Sequence, residues 1–418
     1  MSLLVLEEEK NEEEKMSSDQ ADDLNVHTQF CLVSGEQMPN LLPIFQLGAK
    51  RVVLFATPQM SHQSELLKKT LRQRLPAIEV VTVNLVDAYD FNDIANTVLD
   101  ELAKAETIIK TDNSNGEIVL NATGGTKVMV LAAVSIFSAN GNRIFYLSEA
   151  TNELIFLPIV GSNETQINKA VSKPIRLLDY LAVYDVTVEK QKEERPTLSN
   201  DLFQELISRQ QKYEHGIAAL NAIAQAALIN SKGKKAISTE MDTPPNSDLK
   251  MLLSCFEQEK LLRVDGNKIT FPSEQARFTV NGGWFEDHTF NVVSGLRSHG
   301  VHDPEKNLRI APQGQLIGRG ADYEIDTCFM HNHTIYLVEC KTCLMEDTKV
   351  TTPILNKLSA ISQSLGKKVR SILISYQRLN PSARARAANE NIAVIDGNSI
   401  CRLRTKLLDI LNENTTTS

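Results

Sequence analysis

From residue 27 onward, short apolar runs alternate with longer stretches in which apolar positions recur every three or four residues. The runs at 30–33, 52–56, 80–83, 118–120 and 144–147 predict buried strands. The stretches at 37–47, 61–75, 91–105 and 126–139 predict helices that cover them. Strands alternating with helices at this spacing imply a parallel, doubly wound α/β sheet. A hairpin around Thr151-Asn152 is expected to close this first domain, 25–160.

Residues 161–275 carry a weaker pattern. The stretch 177–188 is mixed, and 190–195 reads as a charged, solvated run. Helices are expected at 202–210, 215–228 and 248–259, followed by a hairpin of 261–264 with 268–271 about Asp265-Gly266-Asn267. That order predicts a helical, winged-helix-like connector, with a plain spacer as the alternative.

In the last part, 276–418, Asn281-Gly282-Gly283 opens a helix at 284–297. Residues 322–341, DYEIDTCFMHNHTIYLVECK, read as two antiparallel strands about a tight turn at His331-Asn332-His333. A helix at 353–365, a strand at 369–375, a helix at 382–389, a strand at 392–395 and a helix at 399–411 complete a mixed α/β domain.

The apolar hairpin ends in charge. Glu339 and Lys341 are two apart and project from one face, and pairing about the turn brings Asp326 opposite 337–339. Buried charges are costly unless they meet a metal or each other, so a metal site and a structural ion pair are the two readings.

Composition is that of a globular chain, 42% hydrophobic and 23% charged, and no apolar run approaches the roughly 20 residues of a membrane span. The start, MSLLVLEEEKNEEEK, lacks the basic region and apolar core of a signal peptide. Six irregularly spaced cysteines suit a reduced, cytoplasmic setting, and Cys340-Lys341-Thr342-Cys343 has no second pair to make a zinc site. Most of the net charge of −8 sits in residues 1–24, where nine acids face two lysines, an acidic tail expected to be disordered. Residues 357–386 hold seven Lys or Arg and no acid, which favours an anionic partner.

In the first domain, Asn121-Ala122-Thr123-Gly124-Gly125-Thr126-Lys127 follows a strand and opens a helix, where glycines admit close approach and helix-start N–H groups attract anions. It has neither the Walker A nor the G-x-G-x-x-G spacing. Ser34-Gly35-Glu36-Gln37, Thr57-Pro58-Gln59-Met60 and Ser148-Glu149 leave the same edge, where open α/β sheets bind ligands. CLVSGEQMPNLLPIF, RVVLFATPQM and NATGGTKVMVLAA together resemble a CARF domain, the Rossmann-like sensor of cyclic oligoadenylates in type III CRISPR defence. That resemblance implies a ligand site at Ser34, Gln37, Thr57, Gln59, Thr123, Gly124, Gly125, Thr126 and Lys127.

The residues from Asn281 onward resemble the PD-(D/E)xK restriction-endonuclease fold, with Ile325 where the family has proline. The resemblance implies Asp326, Glu339 and Lys341 as catalytic residues, Glu286 as an extra helical glutamate, and Asp326, Glu339 and Glu286 as ligands of Mg²⁺ or Mn²⁺. Carboxylates are the donors such hard cations take, and a lysine can orient water or stabilise charge on phosphoryl oxygens. Glu324 lies on the face of Asp326; Lys357, Gln363, Arg384 and Arg386 are candidate nucleic-acid contacts. His331-Asn332-His333 spells HNH without the dispersed ββα-metal unit, and 297–302 matches the R-x4-H of HEPN ribonucleases outside a helical bundle.

Together the two resemblances are to cyclic-oligoadenylate-activated CRISPR accessory nucleases. They imply a homodimer, activation by cyclic tetra-adenylate, and metal-dependent cleavage of DNA (nicking or single-strand), with RNA as a further substrate. The alternatives are a ligand-responsive CARF and winged-helix transcription regulator without cleavage, and a sensor that cleaves its own ligand.

Overall fold

The computed structural model describes residues 24–416 except 160, 162–164, 191–193, 231–236, 313 and 319–321. The acidic run 1–23 lies outside the described residues. The chain divides into two compact units at Asp185/Val186. The stretch expected as a connector is thus shared: 161–185 goes with the first unit and 186–275 with the second.

The first unit runs β1 (Val26–Leu32), α1 (Met38–Leu47), β2 (Arg51–Ala56), α2 (Ser61–Arg74), β3 (Glu79–Asn84), α3 (Phe91–Thr111), β4 (Glu117–Asn121), α4 (Lys127–Ala139), β5 (Arg143–Ser148), β6 (Glu153–Phe156), β7 (Ile167–Ala170) and α5 (Leu177–Val183). The sheet order is β3-β2-β1-β4-β5-β6-β7, parallel from β3 to β5 and antiparallel beyond. β1 and β2 are buried along their whole length, as continuous apolar strands of a doubly covered sheet should be. Phe30 packs on Phe55 and edge-on to Phe137, with ring centroids 5.5 and 5.2 Å apart. Helix starts follow local chemistry: Asp90 caps α3 through the Asp93 N–H, and Thr126 caps α4 through the Met129 N–H. The hairpin expected about 151–152 joins β5 to β6, but the sheet continues through β7 past residue 160.

The second unit begins with β8 (Thr187–Lys190), α6 (Asn200–Ser208), α7 (Gln210–Asn230), β9 (Ile237–Glu240), α8 (Ser247–Gln258), β10 (Arg263–Asp265), β11 (Lys268–Phe271) and α9 (Glu274–Phe278). It continues with α10 (Trp284–Ser294), β12 (His302–Ala311), β13 (Tyr323–His331), β14 (Thr334–Lys341), α11 (Thr348–Ser364), β15 (Val369–Ser375), α12 (Pro381–Asn389), β16 (Ile392–Asp396) and α13 (Leu403–Thr416). A three-stranded sheet, β10-β11-β9, accompanies the helices before residue 275, and a larger sheet has the order β16-β15-β14-β13-β12-β8.

Period-two alternation splits this larger sheet into two faces. Tyr336, Val338 and Cys340 of β14, with Ile372 and Ile374 of β15, enter one large core with Phe285 of α10, Leu403 of α13, and α6 to α8. Leu373 of β15 faces the other way, into a smaller cluster with Leu355 and Leu358 of α11 and Ala383 of α12. Glu339 and Lys341 therefore project toward the α11 side, away from the large core.

The helices of the large core are tied to the chain that leaves β15, and to each other, by hydrogen bonds as well as packing. Gln210 donates to the Tyr376 carbonyl and the Tyr376 hydroxyl donates to the Leu206 carbonyl, both at 2.6 Å. Arg277 donates to the Ala224 carbonyl at 3.1 Å.

Candidate functional site

The β13–β14 hairpin turns on Asn332 and His333, both at positive φ (47° and 61°), the left-handed pair that a two-residue turn requires. His331 pairs with Thr334 and Thr327 with Val338, so the next step of the register sets Asp326 beside Glu339. Both carboxylates are buried, at 7% and 3% exposure.

Each carboxylate is held. Asp326 Oδ2 accepts from the Cys340 N–H at 2.7 Å and lies 3.7 Å from Lys341 Nζ. Glu339 meets Lys341 at 2.6 Å through Oε1 and Lys357 at 2.7 Å through Oε2. Burial pushes the Asp326 carboxyl up, with Lys341 opposing. At Glu339 burial acts the same way, but Lys341 and Lys357 outweigh it and hold the carboxyl below its ordinary range. Burial alone would lower Lys341, yet Asp326 and Glu339 keep it firmly protonated.

Glu286 enters from α10, on the large-core side of the sheet. Its Oε2 is 3.1 Å from Arg195 Nη1, and the Arg195 guanidinium lies 4.0 Å from the centre of the Phe278 ring. Burial, then Asp326, raise the Glu286 carboxyl despite Arg195 and Lys341. Of the run 190–195 expected to be solvated, Lys190 and Glu194 are exposed and 191–193 lie outside the described residues, but the Arg195 side chain is only 3% exposed. An ion pair under an aromatic ring compensates its burial, and nothing in the charged local sequence announces that distant partner.

Glu286, Glu324, Asp326, Glu339, Lys341 and Lys357 line one cavity of about 700 Å³. The donors suit a hard cation by type, because Mg²⁺ commonly takes one or two carboxylates together with substrate phosphates. Among the described residues, however, no three His, Cys, Asp or Glu side chains converge as a ligand set. Asp326 and Glu339 are neighbours in the register, while Glu286 is paired with Arg195.

The expected nucleic-acid contacts separate. Lys357 lines the cavity on Glu339, whereas Gln363 is exposed near the end of α11 and donates to Ser359 Oγ at 3.5 Å. Arg384 is bound to Asp396, and Arg386 to Glu390 and Asn356, so neither belongs to the cavity lining. The 297–302 match falls on a single 3-10 turn that ends at Gly300 (φ 83°).

In the first unit the strand order reverses between β1 and β4, the switch point where doubly wound sheets open a crevice at their carboxyl edge. Ser34 and Gln37 follow β1, and Thr123 to Lys127 follow β4, so these two loops flank it. Thr57 and Gln59 follow β2, one strand further out, the first buried and the second exposed. The loop after β4 is tied to both neighbours. Asn121 donates to the Pro39 carbonyl at 2.8 Å, and Thr123 Oγ1 accepts from the Leu147 N–H at 2.8 Å. Gly124 is required: a Cβ there would sit 2.2 Å from the Leu32 carbonyl oxygen. Gly125, at φ 80°, would bring its Cβ within 2.9 Å of the Leu32 side chain. Gln37 is buried and donates to the Ser34 carbonyl at 2.7 Å, while Lys127 is exposed at the helix start. Sequence reasoning missed Asn40, whose Nδ2 donates to the Leu32 carbonyl at 3.1 Å, and Tyr184, which donates to Glu36 at 3.1 Å.

Residues 28–180 match the Card1 CARF domain, and residues 273–413 match the Card1-like endonuclease domain. Among solved structures, protein VC1899 from Vibrio cholerae is similar with a TM-score of 0.77 and 19% identity, over 94% of this chain and 99% of that one. Can2 from Sulfobacillus thermosulfidooxidans, solved in complex with cyclic tetra-adenylate, is similar with a TM-score of 0.71 and 23% identity, over 92% and 97%. At these identities the likeness establishes the fold. No curated protein matches the chain. No helix among the described residues is long and apolar enough to cross a membrane.

Proposed function

We propose that this chain, which joins a Card1-type CARF domain to a Card1-like endonuclease domain, is a divalent-metal-dependent nuclease of type III CRISPR defence, switched on by a cyclic oligoadenylate. The observation that carries the reading is the Asp326–Glu339–Lys341 group, its two carboxylates buried, at the wall of a cavity lined largely by residues of the endonuclease match.

In this reading Asp326 and Glu339 would hold Mg²⁺ or Mn²⁺, and Glu286 would contribute from α10 on leaving Arg195. The cation would supply charge neutralisation at the scissile phosphate and activation of a water. Lys341, kept protonated by the two carboxylates, faces the phosphoryl oxygens and steadies the charge that grows on them. Lys357 shares Glu339 and keeps that carboxylate ionised before the cation arrives.

The activator is cyclic tetra-adenylate, bound in the crevice between the loops after β1 and β4, with Lys127 and the start of α4 meeting its phosphates. A four-fold repetitive ligand suits a homodimer in which each copy supplies half the pocket. Exposed Val86 (84%) and Leu131 (62%) in the first unit supply apolar surface for such a contact. The substrates are DNA, which is nicked or cut as a single strand, and RNA, and the setting is the cytoplasm. The regulator alternative requires binding without cleavage and leaves the buried carboxylate pair without a task.

The deciding experiment is cleavage of supercoiled plasmid and labelled single strands with Mn²⁺, with and without cyclic tetra-adenylate. Ligand-dependent cutting that disappears in Glu339→Ala is the expected result. Cutting that persists in that variant, or none with any cyclic oligoadenylate, refutes the reading.

A further inference from the structure

Helix α7 lies outside both matched segments, yet one of its faces lines the cavity of the carboxylates. Ala218, Asn221, Ala222 and Gln225 fall at i, i+3, i+4 and i+7, so they form a single stripe, and all four belong to the lining. The stripe carries no charge, whereas the other side chains in the same lining include three buried or half-buried carboxylates and two lysines.

The stripe is anchored to the catalytic strand. Asn221 is buried and donates through Nδ2 to Thr342 Oγ1 at 2.8 Å, one residue beyond Lys341. Gly282 packs so closely on that hydroxyl that a Cβ would stand 2.4 Å from it, which fixes Thr342 from a second side. The Asn221 Oδ1 is buried and accepts no hydrogen bond among the described residues, so the open part of the stripe is Ala222 and Gln225, both exposed.

We propose that this face of α7 is the wall against which a nucleic-acid strand lies in the cavity, receiving its sugars and bases while the lysines receive its phosphates. Phosphate oxygens seek cations and N–H groups, so they belong with Lys341 and Lys357. Alanine methyls suit the flat, weakly polar faces of sugar and base, and Asn or Gln amides both donate and accept at base edges and at a ribose hydroxyl. The assignment rests on the reading of the cavity as a nuclease site.

The test uses the full chain with cyclic tetra-adenylate and EDTA, and measures the anisotropy of fluorescein-labelled single-stranded DNA and RNA oligonucleotides. Ala222→Trp fills the stripe from an exposed position and is expected to raise the Kd for at least one strand about tenfold or more. Its melting temperature and its Mn²⁺ binding, read from the electron paramagnetic resonance of free Mn²⁺, should stay unchanged. Gln225→Ala should weaken binding in the same direction. The strand more affected identifies the sugar that the wall accepts. Wild-type affinity in both variants, or an unchanged protein that binds neither strand, overturns the wall. Strand binding that Ala222→Trp removes, in a protein that cuts nothing when Mn²⁺ is added, refutes nuclease activity and leaves the wall standing.

Discussion

Lys357 donates to one oxygen of Glu339 at 2.7 Å while Lys341 takes the other at 2.6 Å, so a cation that binds this carboxylate must compete with two lysines. Lys357 reaches it because Glu339 projects toward α11. Replacing Lys357 by Met removes one of two counter-charges from a buried carboxylate, at a cost of about 1–3 kcal/mol. Thermal unfolding should show a lower melting temperature without metal, and a larger Mn²⁺-induced rise than in the wild type, because a competitor for Glu339 is gone. An equal Mn²⁺ response in both proteins would remove Lys357 from the metal equilibrium.

Lys341→Met leaves both carboxylates in place but removes the charge that the proposed mechanism sets against the phosphate. Cleavage should fall by roughly a hundredfold or more, the scale seen when a donor aimed at developing charge is lost. Strand binding in EDTA should change much less. Single-turnover cleavage under saturating Mn²⁺ measures the first quantity, and anisotropy the second.

Arg195 and Glu286 form a buried pair, and removing one partner from such a pair costs about 3–5 kcal/mol. Arg195→Met should therefore lower stability in urea by an amount that Glu286→Gln largely restores. A double-mutant cycle is expected to give a coupling above about 1 kcal/mol. Additive effects would mean that the two side chains do not sense each other.

In the crevice, Gly124→Ala and Lys127→Ala should separate structure from ligand contact. The first forces a Cβ onto the Leu32 carbonyl, an overpacking worth about 1–3 kcal/mol, and lowers the melting temperature. The second alters an exposed side chain, keeps the melting temperature, and raises the concentration of cyclic tetra-adenylate needed for half-maximal cleavage.

His27 supplies a pH test. Burial, then Lys50, lower its pKa below the ordinary 6.5. The unfolded chain therefore binds the extra proton first as pH falls through 6.5. The stability this residue supports is complete above that value and declines below it. Between pH 7.5 and 5.5 the wild type should lose more melting temperature than His27→Gln, measured in parallel.

The hairpin was legible because everything that sets it is local: an apolar run, a turn that tolerates positive φ, and two acids whose register follows from counting. β15 matches the expected strand residue for residue, since four of its apolar side chains sit between clear breakers. β12 was not legible. Its sequence, HDPEKNLRIA, contains a proline, positive φ at Asp303 and Asn307, and a register shift between His302 and Glu305, all of which erase a period of two. The partners of Arg384 and Arg386 were not legible from the run that contains them. The run 357–386 holds no acid, but Glu390 and Asp396 follow just beyond it and fold back onto these arginines. Glu286 and Arg195 are 91 residues apart, and Asn221 and Thr342 are 121 apart, distances over which no local pattern speaks.

The large core that begins at Leu202 and ends at Leu411 makes the catalytic half indivisible. A chain trimmed to the matched segment 273–413 would bare Phe285, Tyr336 and Tyr376 to water, and would lack the helices that hold the Tyr376 backbone and hydroxyl. Such a fragment should collect in aggregates rather than as an enzyme. In any shuffling of domains, whether by recombination in a genome or at the bench, residues 186–272 must travel with the nuclease, because they are part of its interior.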